Sequence, residues 1–296
     1  MTFDFSADHI SFDLLNILLI DRTTNRNIIW AAHDHKNLDA HSEMKNDSEL
    51  EKIQPRFLKS AEHQKNRSRY KAEIFTPAWL CNEQNNLIDE SFFHRSNVFN
   101  VVDSQNHTWQ PTSEKIPFDE KITWQDYVTS NRLEITCGEA PYLVSRYDAV
   151  SGKIIDLENR IGMLDRKIRV VNENTSTKLD WLNWITKAFQ SVYGYEFQGD
   201  NLLLARKNLL MTFIEYYQAR FDSTPEQKIL EEIAEIISWN LWQMDGLTNA
   251  IPYHEPHEKN PNSISLFEPE NVYCKIRDWF TGEILEYRRI LKEVKR

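Results

Sequence analysis

Apolar residues recur at helical spacing over residues 199–210, where Leu202, Leu203, Ala205, Leu209 and Leu210 fall on one side. Residues 178–191 read as another helix, with Trp181 and Trp184 as core or interface anchors. A third runs from Thr224 to about Trp239, with Thr224 as N-cap, Pro225 at the first position and Gln227 completing a capping box. Upstream, residues 55–71 predict a basic helix that leads into a helix over 76–90. There Thr76 suits the N-cap and Pro77 the first helical position. A short helix is expected over Trp124–Ser130, and an apolar strand or helix around Leu14–Ile20. Between these periodic stretches lie short apolar runs of strand length: Ile28–Trp30, Leu133–Thr136, a run ending near Glu196, one stopping at Asp245–Gly246, and Val272–Asp278. Residues 36–50 read as an exposed connector, 97–130 as short strands and turns, and 253–264 as a loop. A turn at Thr281–Gly282 and a charged closing helix complete the chain. Such a mixture of helices and short strands predicts an α/β fold.

The most informative of these junctions is Leu133–Thr136. The strand ends in an acidic residue near Gly138, and the apolar spacing of Ala140, Leu143, Val144 and Tyr147 predicts a helix at once. Strand, tight turn and helix start let a backbone approach an adenosine-type ligand closely, with helix-start N–H groups facing its polar groups. Glu196, at a second strand end, is placed to accept both ribose hydroxyls of such a ligand; the plainer alternative is a solvated strand end, with Asp200 or Asn201 capping the helix that follows. Asp245 ends the run Leu241–Asp245, where Asp-Gly is also ordinary turn chemistry.

Together these segments resemble the S-adenosylmethionine-dependent N6-adenine DNA methyltransferases of restriction–modification systems. In that family a Phe-Thr-Pro segment precedes the cofactor turn and helps hold the methionine end of the cofactor; here the segment is Phe75, Thr76 and Pro77. The cofactor turn, roughly acidic-x-Thr-Cys-Gly-x-Ala-x-x-Leu, is reproduced by Glu134, Thr136, Cys137, Gly138, Ala140 and Leu143. The resemblance implies a ribose-binding role for Glu196 and an adenine-amino acceptor role for Asp245. More narrowly, the chain is similar to bacterial and phage proteins labelled restriction endonuclease subunit or modification subunit, over most of residues 9–252. The expected fold is a Rossmann-like methyltransferase core over residues 71–252, with an insertion at 151–178. Residues 1–70 form an N-terminal α/β extension carrying the basic helix, and 253–296 a C-terminal strand and charged helix. The sheet is expected to be incomplete, since little chain remains after Asp245 for further strands.

The same family places an Asn or Asp, two prolines and an aromatic residue after the fourth strand, to engage the flipped adenine. No such pattern is present; the nearest strings are Asn249–Tyr253 and Asn260–Pro261, and catalytic residues stay unassigned. Two readings follow. Either the chain is the modification component of a restriction–modification or phage-defence system that methylates adenine N6 in double-stranded DNA, or it is a cofactor- and DNA-binding subunit whose catalytic residues lie on a partner chain.

Composition adjusts the picture in a few places. The net charge of −10 argues against a protein that coats nucleic acid, but Lys65, Arg67 and Arg69 lie in a basic run that could contact DNA phosphates. Further clusters are Arg166, Lys167 and Arg169, and Arg288, Arg289, Lys292, Lys295 and Arg296. Cys81, Cys137 and Cys274 are far apart and have no metal-ligand spacing, and His254 and His257 only bracket a loop, so no metal is expected. Cys137 reads as a small buried residue rather than a nucleophile. Asp119–Lys121 only loosely suggests a nuclease motif. With no apolar run approaching the ~18 residues a membrane helix needs and no signal-peptide pattern at the start, a cytoplasmic protein is expected.

Overall fold

The computed structural model describes residues 10–31, 39–71, 73–253 and 272–294. Helix α1 (Phe12–Leu19) runs straight into the two-residue strand β1 (Ile20–Asp21), which pairs antiparallel with β2 (Arg26–Asn27). Ile28–Trp30, expected as a strand, contributes only a bridge from Ile29 to Glu43. Helices α2 (Ala61–Lys71) and α3 (Ala78–Phe93) follow, then the hairpin β3 (Asn100–Asp103) and β4 (Thr108–Pro111). Helix α4 (Trp124–Thr129) is closed by a capping box in which Thr123 and Asp126 exchange side-chain and backbone hydrogen bonds.

The centre is a parallel sheet of three strands in the order β5 (Arg132–Glu134), β6 (Val192–Glu196), β7 (Leu241–Gln243). Parallel neighbours need long crossovers. α5 (Met163–Asn174) and α6 (Lys178–Gln190) supply the first; α7 (Gly199–Phe221) and α8 (Gln227–Asn240) supply the second. A second antiparallel pair, β8 (Lys275–Arg277) and β9 (Ile284–Glu286), leads into α9 (Tyr287–Val294). The main core joins α1 and α4 through α8, with Leu18, Leu164, Ile168, Trp181, Ile185 and Phe213 fully buried. Trp184 is only partly buried and lies against Trp124.

The helix predicted after Gly138 does not form. Its four apolar positions are all buried, so the spacing identified the inward side chains but not the element. The backbone explains why. Ala140 adopts φ +63°, Pro141 follows it, and the N–H groups of Tyr142 and Leu143 donate to the Glu134 carboxylate, at 3.3 and 3.1 Å. A carboxylate thus occupies donors that would otherwise open a helix. The next helix is α5, inside the segment expected to be an insertion. Its first turn abuts the loop through Met163 N–H to Tyr142 O and Leu164 N–H to Leu143 O, both 2.8 Å. Gly162, just before it, lies so close that an added Cβ would sit 2.3 Å from Leu143 O. Asp165 accepts from Gly162 N–H and from both Ser145 N–H and its hydroxyl, fixing loop and helix together.

Three expected caps are built differently. Helix α3 starts at Ala78, not Thr76, because the Asp148 carboxylate accepts the Ala78 N–H at 2.6 Å. Helix α8 starts at Gln227 after Glu226, without a side-chain cap from Thr224. Helix α7 starts at Gly199, and Asp200 is engaged by an arginine instead of capping.

Buried cations tie the ends of the sheet. Arg206 in α7 is fully buried and donates only to backbone carbonyls, those of Leu18, Ile20, Ser238 and Leu241, so it fastens the N-terminal segment to the start of β7. Burial lowers its pKa to about 9, against the pull of Asp21. Lys167 is likewise fully buried, donating to Val128 O, Ser130 O and the Ser191 hydroxyl beside the starts of β5 and β6. Burial holds its ammonium well below the usual lysine range. Arg166 pairs with Asp89, and Arg169 donates to the carbonyls of Phe99, Thr112 and Glu114. The second basic cluster is therefore interior cross-linking, not a DNA face. In the third, Arg288 pairs with Glu286 and lies over the Tyr273 ring. Lys295 and Arg296 lie outside the described residues, as do His254, His257, Asn260 and Pro261.

Candidate functional site

Strands β5 and β6 both deliver a glutamate at their carboxyl ends, where open α/β sheets receive ligands. A cleft of about 990 Å³ opens there, lined by Phe75, Thr76, Glu134, Thr136, Cys137, Gly138 and Glu196 among others. Pro77 follows immediately as the N-cap of α3. Segments 75–76, 134–138 and 196 are thus brought together from three separate parts of the chain. Asp245 is not. It ends β7's extension in a turn, bridging Ala250 and accepting Leu247 N–H at 2.8 Å. From that region it is Tyr253 that reaches the cleft, packed edge-on against Phe197.

Geometry at the turn is unusual. Thr136, Gly138 and Ala140 all have positive φ, at +46°, +54° and +63°. Residues other than glycine persist there only where surroundings over-determine the conformation. Here Cys137 N–H is fixed to Tyr195 O at 2.8 Å and Gly138 N–H to Glu196 Oε2 at 2.9 Å. A Cβ on Gly138 would lie 3.3 Å from the Phe75 ring, so the aromatic of the Phe-Thr-Pro segment packs on the one position that lacks a side chain.

Each carboxylate is held by two backbone donors. Glu196 accepts Gly138 N–H with one oxygen and Gln198 N–H, at 3.1 Å, with the other. Glu134 divides its oxygens between Tyr142 and Leu143. An ionised carboxylate offers about four lone-pair sites, so each retains acceptor capacity toward a ligand. Burial raises the pKa of both, Glu134 well above the usual carboxylate range; the charge of Glu196 adds to the effect on Glu134, and those of Asp200 and Glu73 to the effect on Glu196. Burial also pushes the Cys137 thiol well up, reinforced by Glu134 and Glu196, which keeps it a protonated, inert side chain. Glu139 turns away from the cleft, accepting the Tyr147 hydroxyl and Arg56 N–H, and burial raises it to about 7.

Of the three residues expected to face DNA, Arg67 is misassigned by sequence. It is 1 % exposed and bonds Asp200 through two nitrogens at 2.7 and 3.0 Å, with Glu73 and Gln198 as further partners. Burial raises Asp200, but Lys59 and Arg67 outweigh it and hold the carboxyl well below its usual range. This buried pair clamps α2, and with it the strand-like lead into Phe75, onto the first turn of α7. Amphipathic spacing is absent from α2, so nothing in the sequence singled Arg67 out from its exposed neighbours. Lys65 and Arg69 are exposed, and Arg69 lines the cleft. Asp119 forms an exposed turn, accepting the N–H groups of Lys121 and Ile122.

Sequence reasoning missed the apolar side of the cleft. Ile74, Ile88, Leu133 and Ile135 line it and are 81, 39, 41 and 62 % exposed. Leu133 lies on β5, whose second edge pairs with no strand among the described residues. Among those residues no group of three His, Cys, Asp or Glu could hold a metal ion, and no helix is long and apolar enough to cross a membrane. No protein-family model, curated protein or solved structure matches the chain.

Proposed function

We propose that this cleft binds S-adenosylmethionine, and that the protein serves adenine-N6 methylation of DNA in a restriction–modification or phage-defence system. One observation carries the reading: Phe75, the Cys137–Gly138 turn and Glu196 converge at the carboxyl ends of adjacent parallel strands. A glycine turn at the end of a parallel strand suits the close approach of an adenosine-type ligand. Glu196 retains a lone pair on each oxygen for ribose hydroxyls. The order β5–β6–β7 fits one half of a Rossmann-type sheet.

A second reading, in which catalytic residues come from a partner chain, is favoured by the edge of β5 that pairs with no strand among the described residues and by the exposed apolar side chains beside it. Parallel strands are normally covered on both sides, and an open edge is a template for another strand. Asn249 lies in a turn with φ +59°, and its carbonyl accepts Cys274 N–H. It is not among the residues that line the cleft, whereas Tyr253 is. The two readings separate in one assay: labelled S-adenosylmethionine and unmethylated duplex DNA, with the chain alone and with the product of the neighbouring gene. Transfer by the chain alone favours a complete enzyme. Transfer only by the mixture favours the split one, and cofactor binding without transfer in either favours a non-catalytic subunit.

A further inference from the structure

A second hollow, about 980 Å³, lies on the other side of α5 and plays no part in the reading above. It is walled by Phe99, Trp109 and Tyr216 and contains Arg160 and Arg166. Arg160 retains only 6 % of its side-chain exposure, and Arg166 only 2 %. Arg160 meets Glu215 with Nη2 at 2.6 Å, while its Nε and Nη1 are buried with no hydrogen-bond partner among the described residues. Glu215 is shared with a second guanidinium, that of Arg146 at 2.7 Å, so one carboxylate serves two cations. Arg166 spends Nη1 on Asp89 and Nη2 on Asn82, leaving Nε unpartnered. Nearby, Asp165 has an unpartnered Oδ1.

Buried donors without acceptors are costly, and native interiors rarely keep them unless something fills the role. Here three such N–H positions belong to two arginines lining one cavity. A forked, permanently charged donor suits an oxyanion far better than a neutral carbonyl. Asp165 adds an acceptor fit for a hydroxyl; Tyr216 and Phe99 already carry the guanidinium groups of Arg160 and Arg166, at 5.7 and 5.3 Å, so Trp109 is the wall that suits a planar ring. Duplex DNA is the poorer fit, because donors this deeply buried are reached only by a group that enters the hollow.

We propose that the hollow is a binding site for a small phosphate monoester of nucleotide size, its phosphate held by Arg160 and Arg166. This is independent of the cofactor reading and survives its failure. The test is calorimetric titration of uridine 5′-monophosphate, whose pyrimidine avoids the adenosine-type cleft, with saturating S-adenosylmethionine present as a further block. Saturable binding is expected, with competition by inorganic phosphate and none by glutarate. Arg160→Gln should weaken it by about tenfold or more, through loss of a charge-assisted donor. Because that variant also breaks the contact to Glu215, Ala219→Trp provides a second check. Ala219 is an exposed position on the wall of the hollow, and a bulky ring there should block entry while leaving both arginines and the fold intact. Absence of saturation, equal affinity in both variants, or preference for glutarate over the monophosphate would overturn the proposal.

Discussion

Two hollows of nearly equal size border helix α5, one whose charged side chains are mainly carboxylates and the other lined by arginines and carboxylates together. At its first turn Met163 faces the cleft where Glu134 and Glu196 present acceptors; farther along, Arg166 and Arg169 face the hollow where arginines present donors. The acceptor side gathers segments from three separate parts of the chain, whereas Arg160, Asp165 and Arg166 on the donor side lie within seven positions of one another. Position in the fold, more than residue type, decides which charges are free to meet a ligand. Arg67 and Arg160 are both arginines in polar stretches, yet Arg67 meets two carboxylates while Arg160 shares one.

The largest effect that could break this comparison comes from Arg67. Arg67→Ala should lower unfolding free energy by about 3–5 kcal/mol in a denaturant titration, because Asp200 and Glu73 would stay buried with only the longer contacts to Lys59 and Arg56, at 3.4 and 3.6 Å. A change within experimental scatter would mean that the clamp between α2 and α7 is not needed.

Second comes the pH dependence of Glu139, on the acceptor side. Its carboxyl titrates at about 7 in the folded protein against an ordinary 4.5. The folded state therefore keeps a proton that the unfolded chain releases. That contribution is fully present below 4.5 and is lost as pH rises through about 7, amounting to on the order of 3 kcal/mol by the usual conversion. Glu139→Gln should flatten stability over that interval and leave the variant more stable than the parent at pH 8. An unchanged profile would mean that another group carries the dependence.

Third, Glu196→Gln should weaken S-adenosylmethionine binding by about 1.5–3 kcal/mol, the worth of hydrogen bonds to a charged acceptor. The amide oxygen can accept the Gly138 N–H, but the amide NH2 then meets the Gln198 N–H, so melting temperature without ligand should fall as well, and affinity is compared at a temperature where both proteins are folded. Equal affinity would remove Glu196 from the ribose site. The smallest effect concerns Lys65 and Arg69. If they contact phosphates, alanine at each should lower the salt dependence of DNA binding by a slope of about one, with stability unchanged. An unchanged slope would leave them as solvated surface.

What sequence could reveal follows from the range of the forces involved. Turn chemistry and apolar spacing are local, so α4, α6, α7 and the strand ends at Glu134 and Glu196 were legible. The convergence of Phe75 with Gly138 was legible only through resemblance to a family, since nothing local links residues so far apart. Cap positions failed where a distant carboxylate intervened: Asp148 on α3, Glu134 on the loop after Gly138. Residues Ala140–Tyr147 show the limit most clearly. Their spacing correctly marks buried side chains, yet helical spacing cannot exclude a turn-rich loop whose N–H groups are satisfied by a glutamate. Arg67 and the cluster of Arg166, Lys167 and Arg169 were misread for a similar reason. Charge runs look solvated in sequence, and only packing reveals that Arg67, Arg166 and Lys167 are interior cross-links.

The central claim is that the cleft between Phe75, Gly138 and Glu196 is the S-adenosylmethionine site. Calorimetric titration of the wild type and Gly138→Ala with S-adenosylmethionine tests it most directly. At φ +54° with the Phe75 ring 3.3 Å from the added methyl group, alanine strains the turn and narrows the ligand's approach. The account predicts one site in the wild type, with affinity at least tenfold weaker in Gly138→Ala, about 1.4 kcal/mol or more. No measurable binding by the wild type, or equal binding by the variant, would contradict it.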